Sequence, residues 1–388
     1  MLGRKFPEMR VVLCSRYAFY PIHFEAFRYL CRNYSVKGVV IGCTTPDIPS
    51  VHLQLGSVDL TNTKIGDGIE EIRMMPDGER AVQGRWLRAE LARLKPDAVW
   101  VQDEPTDYFL FEILRNYYFR RTPRIVSAVC ENIVQPGPLW KRVLRRTLWS
   151  RLDGLLATAK PSIEGIRKVG MPMRVPVMTL VAGALPPPTA LTSLELPLAR
   201  GSDDFLVGFA GRICEEKGWK VLLSALALLP QYVKCVLAGD GPQAVELRSW
   251  LSKPELQGRV CYMGLLPKAE LWRFYRTVDC LALPSLTFPK WKEQFGGVLA
   301  DGMAIGLPLI GSDSGSIPEV IGPAGIVVPE NDHRALADTI RQLSENPDLC
   351  RRLGEAGRKR FDAEFAIPAY ARKIAEALQL NEGHVNHA

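Results

Sequence analysis

The 388-residue chain lacks the usual marks of metal and disulfide chemistry. None of its nine cysteines forms a C-x-x-C pair, and neither H-E-x-x-H nor D-x-D occurs. With only five histidines and no C-x-x-C pair to complete a set, neither a zinc set nor a bound divalent cation is expected. Cys14, Cys31, Cys43, Cys130, Cys214, Cys235, Cys261, Cys280 and Cys350 are scattered and read as reduced thiols of a cytoplasmic protein. No apolar run reaches the roughly 18 residues of a membrane span, and the first residues lack a signal-peptide core and cleavage site. The expectation is a protein neither exported nor membrane-spanning, yet able to lie on the inner face of a membrane. Neither a fixed-period repeat nor a low-complexity tract is present.

A content of 47% apolar and 23% charged residues is a globular mix, and the length favours two domains. Forty-nine basic less forty-two acidic residues leave +7. That suits an anionic ligand or a membrane surface and is too mild to argue for nucleic acid.

Short apolar runs alternate with helical periodicity. Arg10–Ser15, Val36–Ile41, Ala98–Val101, Arg124–Val129 and Gly154–Thr158 read as buried strands of a first parallel sheet. Periodicity breaks between Val181 and Asp204 around Pro186-Pro187-Pro188. A second sheet then starts with Phe205–Ala210 and continues through Val233–Ala238, Val260–Met263, Cys280–Leu283, Leu309–Gly311 and Gly325–Val328. Helices are expected over Trp219–Leu229, over Leu271–Thr277, from Gly297, and from Asp332 onward with an interruption at Pro368. The fold class is therefore α/β, two Rossmann-like doubly wound domains facing across a cleft. The expected divisions are 1–185, a linker at 186–204, a second domain at 205–365, and a C-terminal helix and tail at 366–388 that crosses back to the first domain.

The chemistry concentrates beyond the strand ends of the second half. Gly211-Arg212 follows a strand and Glu216-Lys217-Gly218 opens a helix, a place where backbone N–H groups and two cations can cradle a diphosphate. Alone, this is equally a turn with solvated charges. Leu237-Ala238-Gly239-Asp240-Gly241-Pro242 ends the next strand in a turn, with Gly239 a minor contact. Glu293-Gln294-Phe295-Gly296-Gly297 precedes a helix, and Asp301 lies one turn further in. Glu293 can accept from two sugar hydroxyls and Asp301 from a ribose. The blander reading makes them an N-terminal helix charge and a polar-face residue.

Taken together, G-R-x4-K-G, A-G-D-G-P and E-Q-F-G-G-V-L-A-D-G-M-A-I-G-L-P-L-I-G-S-D-S-G-S-I-P-E-V-I over residues 205–330 resemble the donor domain of family 4 retaining glycosyltransferases of the GT-B fold. The resemblance implies that Arg212 and Lys217 hold the donor diphosphate and Glu293 the transferred sugar. Gly211, Phe295, Gly296 and Gly297 would offer backbone groups, and Asp301 would bind the ribose. It also implies no cofactor beyond a nucleotide-sugar co-substrate, and a glycan, lipid-linked or small-molecule acceptor. Three departures stand out: Asp301 occupies the place of a glutamate, no glycine pair follows the first strand, and Gln102-Asp103-Glu104 stands where a histidine is frequent. Two further readings fit the same residues, a nucleotide-sugar epimerase and a binding partner without catalysis.

For the acceptor side, Asp103 and Glu104 follow a buried strand and His23 lies in an early loop. Glu131 and Asn132 end another strand. Each has an equally plain structural reading as a turn, cap or exposed residue. Gly264-Leu265-Leu266-Pro267 is placed to line the nucleotide base. Leu139 to Leu152 forms a basic amphipathic helix. The expectation is that its apolar face packs on the first sheet, the other reading being an anionic lipid surface.

Overall fold

The computed structural model describes residues 8–15, 21–43, 65–76, 79–120, 122–130, 133–134, 137–179 and 183–381. The chain divides into two compact units: Met1–Gly183 with Ile367–Ala388, and Ala184–Ala366.

In the first unit β1 (Met9–Cys14), β2 (Val36–Cys43), β3 (Ile69–Met75), β4 (Ala98–Val101), β5 (Arg124–Val129), β6 (Gly154–Ala157) and β7 (Val177–Thr179) form one sheet in the order β3-β2-β1-β4-β5-β6-β7. Every pairing is parallel, so each connection must cross over the sheet, and helices lie in the connections from β1 to β2 and from β3 onward. Strand alternation sorts the core onto two faces. Val11, Leu13 and Trp100 pack with Phe27 of α1 (Pro21–Asn33), whereas Val12, Val99 and Val101 pack with Leu110 and Ile113 of α3 (Tyr108–Asn116). The last helix, which we number α13 (Ile367–Leu378), adds Tyr370, Ile374 and Leu378 to the first of these faces.

Two features of this unit depart from the sequence reading. The strands β3 and β7 were not expected: β3 is a half-exposed strand written I-E-E-I-R-M-M, and β7 has only three residues, none fully buried. Helix α4 (Leu139–Trp149) does not lay its apolar face on the sheet. Only Leu148 and Trp149 are buried within it, while Leu139, Trp140, Val143 and Leu144 are exposed.

The second unit repeats the design with β8 (Phe205–Ala210), β9 (Val233–Ala238), β10 (Val260–Tyr262), β11 (Cys280–Leu283), β12 (Leu309–Ser312) and β13 (Gly325–Val328), ordered β10-β9-β8-β11-β12-β13 and all parallel. The order reverses between β8 and β11, and that is where open α/β sheets take ligands, beyond the carboxyl ends of the strands. Residues 186–204, expected as a linker, belong to this unit. Their unpaired backbone is satisfied by side chains of α8 (Lys268–Thr277): Leu194 N–H donates to Thr277 Oγ1 (2.7 Å) and Arg273 donates to Ser193 O (3.1 Å). Arg200 adds hydrogen bonds to Thr277 O and the Asp279 carboxylate. Ala184 N–H donates to Phe365 O at 2.9 Å, so entry to and exit from the second unit lie side by side. No described helix is long and apolar enough to cross a membrane.

Candidate active site

The loops after β8 and β11 meet at the point where the strand order reverses. After β8 the chain runs through Gly211 and Arg212 into a single 3-10 turn, Glu215–Lys217, and then into α6 (Trp219–Ala227). Gly218 joins the two at φ +68°, and a Cβ there would lie 1.8 Å from Pro284 O. The glycine therefore lets this loop dock directly on the end of β11, a contact reinforced by Leu286 N–H donating to Glu216 O at 2.8 Å.

Docking carries Lys217 to Glu293. The Lys217 ammonium donates to Glu293 Oε2 at 2.6 Å across 76 residues of sequence, and Ser285 Oγ donates to the same oxygen at 2.7 Å. Glu293 is 5% exposed. The ammonium also stands 5.0 Å from the centre of the Trp291 ring, whose face favours a cation. A third loop closes behind the carboxylate: Ser316 N–H donates to Glu293 O (3.0 Å), and Gly315, at φ +55°, leaves room for that carbonyl. Ser316 Oγ is buried without a hydrogen-bond partner among the described residues. Gly315 and Ser316 carried no sequence signal beyond their place inside the long motif, and Ser285 and Trp291, which precede it, carried none.

Arg212 is half-buried, and its guanidinium has no hydrogen-bond or ion-pair partner among the described residues. A guanidinium held in this way is available to an anion. Burial, with the Glu216 carboxylate adding to it, holds the neighbouring Cys214 thiol up at about 11, so it stays protonated at neutral pH and is no nucleophile.

The glycines separate into two kinds. At Gly239, φ +137°, a Cβ would sit 1.8 Å from Gly211 O, so Gly239 is a support that lets β9 press against the Gly211 turn. At Gly211 and Gly297 a Cβ would meet nothing nearer than 3.8 and 3.9 Å. Packing within the chain does not demand glycine at these two positions, and a bare backbone there leaves space for a ligand. Gly297 is the exposed first residue of α9 (Gly297–Ile305), where N–H groups lack intrahelical partners. Phe295, just before it, packs its ring 5.9 Å from that of Phe365, and Gly296 caps the helix at φ +72°.

Asp301, on α9, is 8% exposed. Its Oδ2 accepts from Lys268 Nζ at 2.8 Å and from Tyr275 Oη at 3.3 Å. Lys268, which sequence reasoning passed over, opens α8 directly after Gly264-Leu265-Leu266-Pro267.

The remaining candidates belong to the first unit. Asp103 is buried after β4, where Ser15 Oγ donates to its Oδ1 (3.2 Å) and Ser127 Oγ to its backbone oxygen (3.2 Å). Glu104 Oε1 accepts from Cys130 N–H at 2.8 Å and so ties the end of β4 to the end of β5. Glu131 and Asn132 lie outside the described residues. His23, near the start of α1, has its Nδ1 2.8 Å from Tyr370 Oη of α13 and its ring edge-on to Trp100. Desolvation lowers its pKa from 6.5 to about 4.

This gives a pH dependence with a definite sign. Between pH 6.5 and about 4 the unfolded chain protonates at this histidine and the folded chain does not, so stability falls as pH drops through that window. The melting temperature of His23→Gln is expected to fall less between pH 6.5 and 4 than that of the native chain. Parallel curves would exclude the assignment.

The fold and site define a class of protein: two Rossmann-like α/β units in one chain, the second holding paired cations and a carboxylate at its topological switch point. Residues 197–360 match the family profile described as Glycosyl transferases group 1, and the two-unit α/β fold is of the GT-B type. Among curated proteins it is 30% identical over 174 residues to the amylovoran biosynthesis glycosyltransferase AmsK of Erwinia amylovora, covering 43% of each chain. It is 31% identical over 198 residues to the D-inositol 3-phosphate glycosyltransferase of Xylanimonas cellulosilytica, covering 49% of this chain and 46% of that one. The match thus spans less than half the length of these relatives. Among solved structures, Anabaena HepE in complex with UDP superposes with a TM-score of 0.70 at 17% identity, covering 96% of this chain and 100% of the other.

Proposed function

We propose that the chain transfers a glycosyl group from a nucleotide-diphosphate sugar to an acceptor hydroxyl with retention of anomeric configuration, as a hexosyl-type transferase of glycan, glycolipid or glycosylated-metabolite biosynthesis. The observation that carries this reading is the 2.6 Å contact between Lys217 and Glu293. It supports the reading by bringing a cation suited to a phosphate beside a carboxylate suited to sugar hydroxyls, the two groups that flank a sugar–phosphate bond. The solved HepE complexes contain UDP and UDP-glucose, which makes uridine nucleotides the first donors to test.

In this reading the bond between the anomeric carbon and the diphosphate oxygen breaks as negative charge grows on the leaving group. Arg212, Lys217 and the N-terminus of α9 stabilise that charge, and they do so most in the transition state. The acceptor oxygen then bonds to the same face of the anomeric carbon, and its proton passes to the leaving phosphate. Glu293 holds the sugar's hydroxyls meanwhile, and Asp301 takes the ribose with Lys268 fixing its carboxylate. Because side chains and backbone supply the positive charge, a chelator is expected to leave turnover unchanged.

The direct test is a thermal-shift screen with nucleoside diphosphates and their sugars. A ligand at about 100 times its Kd stabilises the folded chain by about 2.7 kcal/mol. One nucleotide class should raise the melting temperature of the native chain and fail to do so in Arg212→Ala; a flat response to the whole panel rejects the donor site. Glu293→Gln keeps an oxygen for Lys217 and Ser285 while weakening acceptance from sugar hydroxyls. Sugar transfer should therefore drop far more than nucleotide affinity, as calorimetry beside an activity assay would show. Incubation with donor alone tests epimerisation, which is expected to give no product.

A further inference from the structure

We propose that helix α4 of the first unit is a docking face for an anionic lipid bilayer. The helix reads LWKRVLRRTLW, with four cationic residues and no acidic one. At about 100° per residue, Leu139, Val143, Thr147, Trp140 and Leu144 share one arc of about 140°. In that arc Leu139, Trp140, Val143 and Leu144 are 72, 63, 59 and 47% exposed. Arg142 and Arg146 border it on one side and Lys141 lies beyond it on the other, all three exposed. Leu148 and Trp149, the residues that anchor the helix to the core, project from the opposite side.

The residues therefore have the layout of a helix that lies in a membrane interface: a Trp-bearing apolar face sinks to the acyl boundary while flanking cations meet anionic headgroups. Charge selects the occupant. A second copy of this face would bring the same cations, on a chain already carrying +7, whereas an anionic surface complements them. Each basic residue near such a surface adds attraction that salt weakens.

The position of α4 adds a consequence. The helix follows β5 and precedes β6, so its exposed first turn lies toward the carboxyl edge of the first sheet, where α/β units take ligands. On the glycosyltransferase reading, which this step alone requires, docking brings that edge to a lipid-linked acceptor.

The test sediments the full chain with vesicles of phosphatidylcholine alone or mixed with phosphatidylglycerol. The native chain should pellet with the anionic vesicles at low salt, release as salt rises, and stay in solution with the neutral ones. Lys141→Ala with Arg142→Ala should lower partition on the order of tenfold, and Trp140→Glu with Leu144→Glu should abolish it. All these side chains are exposed, so both variants should keep the native melting temperature and nucleotide response. Failure of the native chain to pellet, or equal pelleting of the variants, overturns the proposal. So does elution as a dimer that Trp140→Glu with Leu144→Glu splits, which would show that a second copy covers the face. Vesicle binding without any nucleotide response would leave the docking face standing and remove the donor site instead.

Discussion

Arg212→Ala is expected to lower kcat on the order of 100-fold while leaving the melting temperature almost unchanged. The guanidinium makes no hydrogen bond or ion pair within the described chain, so its removal breaks no contact. What is lost is a preorganised charge aimed at the leaving diphosphate, and removing one such donor costs about 2.7–4 kcal/mol of transition-state stabilisation in comparable sites. Lys217→Ala should show a similar loss of turnover but a different stability. It takes the 2.6 Å ion-pair partner from the Glu293 carboxylate, 5% exposed, and breaking a buried ion pair by removing one member is destabilising. Measured side by side, kcat should fall in both variants and melting temperature mainly in the second. Unchanged turnover in both would remove these residues from the reaction.

The second large effect is structural. In Gly218→Ala the new methyl would sit 1.8 Å from Pro284 O in a backbone at φ +68°. An alanine at positive φ costs about 1–2 kcal/mol before any clash, and here the clashing atom is backbone and cannot swing aside. A total of about 3 kcal/mol or more is expected, which lowers the melting temperature of the second unit by roughly 6–12 °C. The same substitution at Gly239 meets Gly211 O at the same distance and should behave alike. Gly211→Ala, with open space around its Cβ, should keep its stability and lose nucleotide affinity. If all three variants melted together, the division between supporting and ligand-facing glycines would fail.

These glycines show why the meeting of the candidate site's loops was legible beforehand. The Lys217-Gly218 pair is a written trace of one loop touching another, because no other residue fits under Pro284 O. Central strands such as β4 and β11 read clearly because burial on both faces forces an unbroken apolar run. The edge strand β3 did not: Glu71 and Arg73 are half-exposed and pair with Arg93 and Glu90, so its sequence mixes charged and apolar residues with neither an apolar run nor a strict alternation. The residues at 186–204 looked like a linker because their hydrogen-bond partners, Thr277 and Arg273, lie some eighty positions away. The Lys268–Asp301 pair was hidden for a similar reason. Helix α4 misled in the opposite direction, since amphipathic periodicity reports an apolar face without saying whether protein or something else will cover it.

The chain crosses between its units twice, at Gly183 and at Ile367, and the second crossing sets an order of assembly on the ribosome. The last helix supplies Tyr370, Ile374 and Leu378 to a core begun by Val11 and Phe27. At synthesis rates of roughly 5–20 residues per second, the earlier half must wait, its α1 face uncovered, while the later half emerges and closes on itself. The portion translated first is thus the one completed last, and a nascent chain stalled before Ile367 should display one finished body and one open one to a protease.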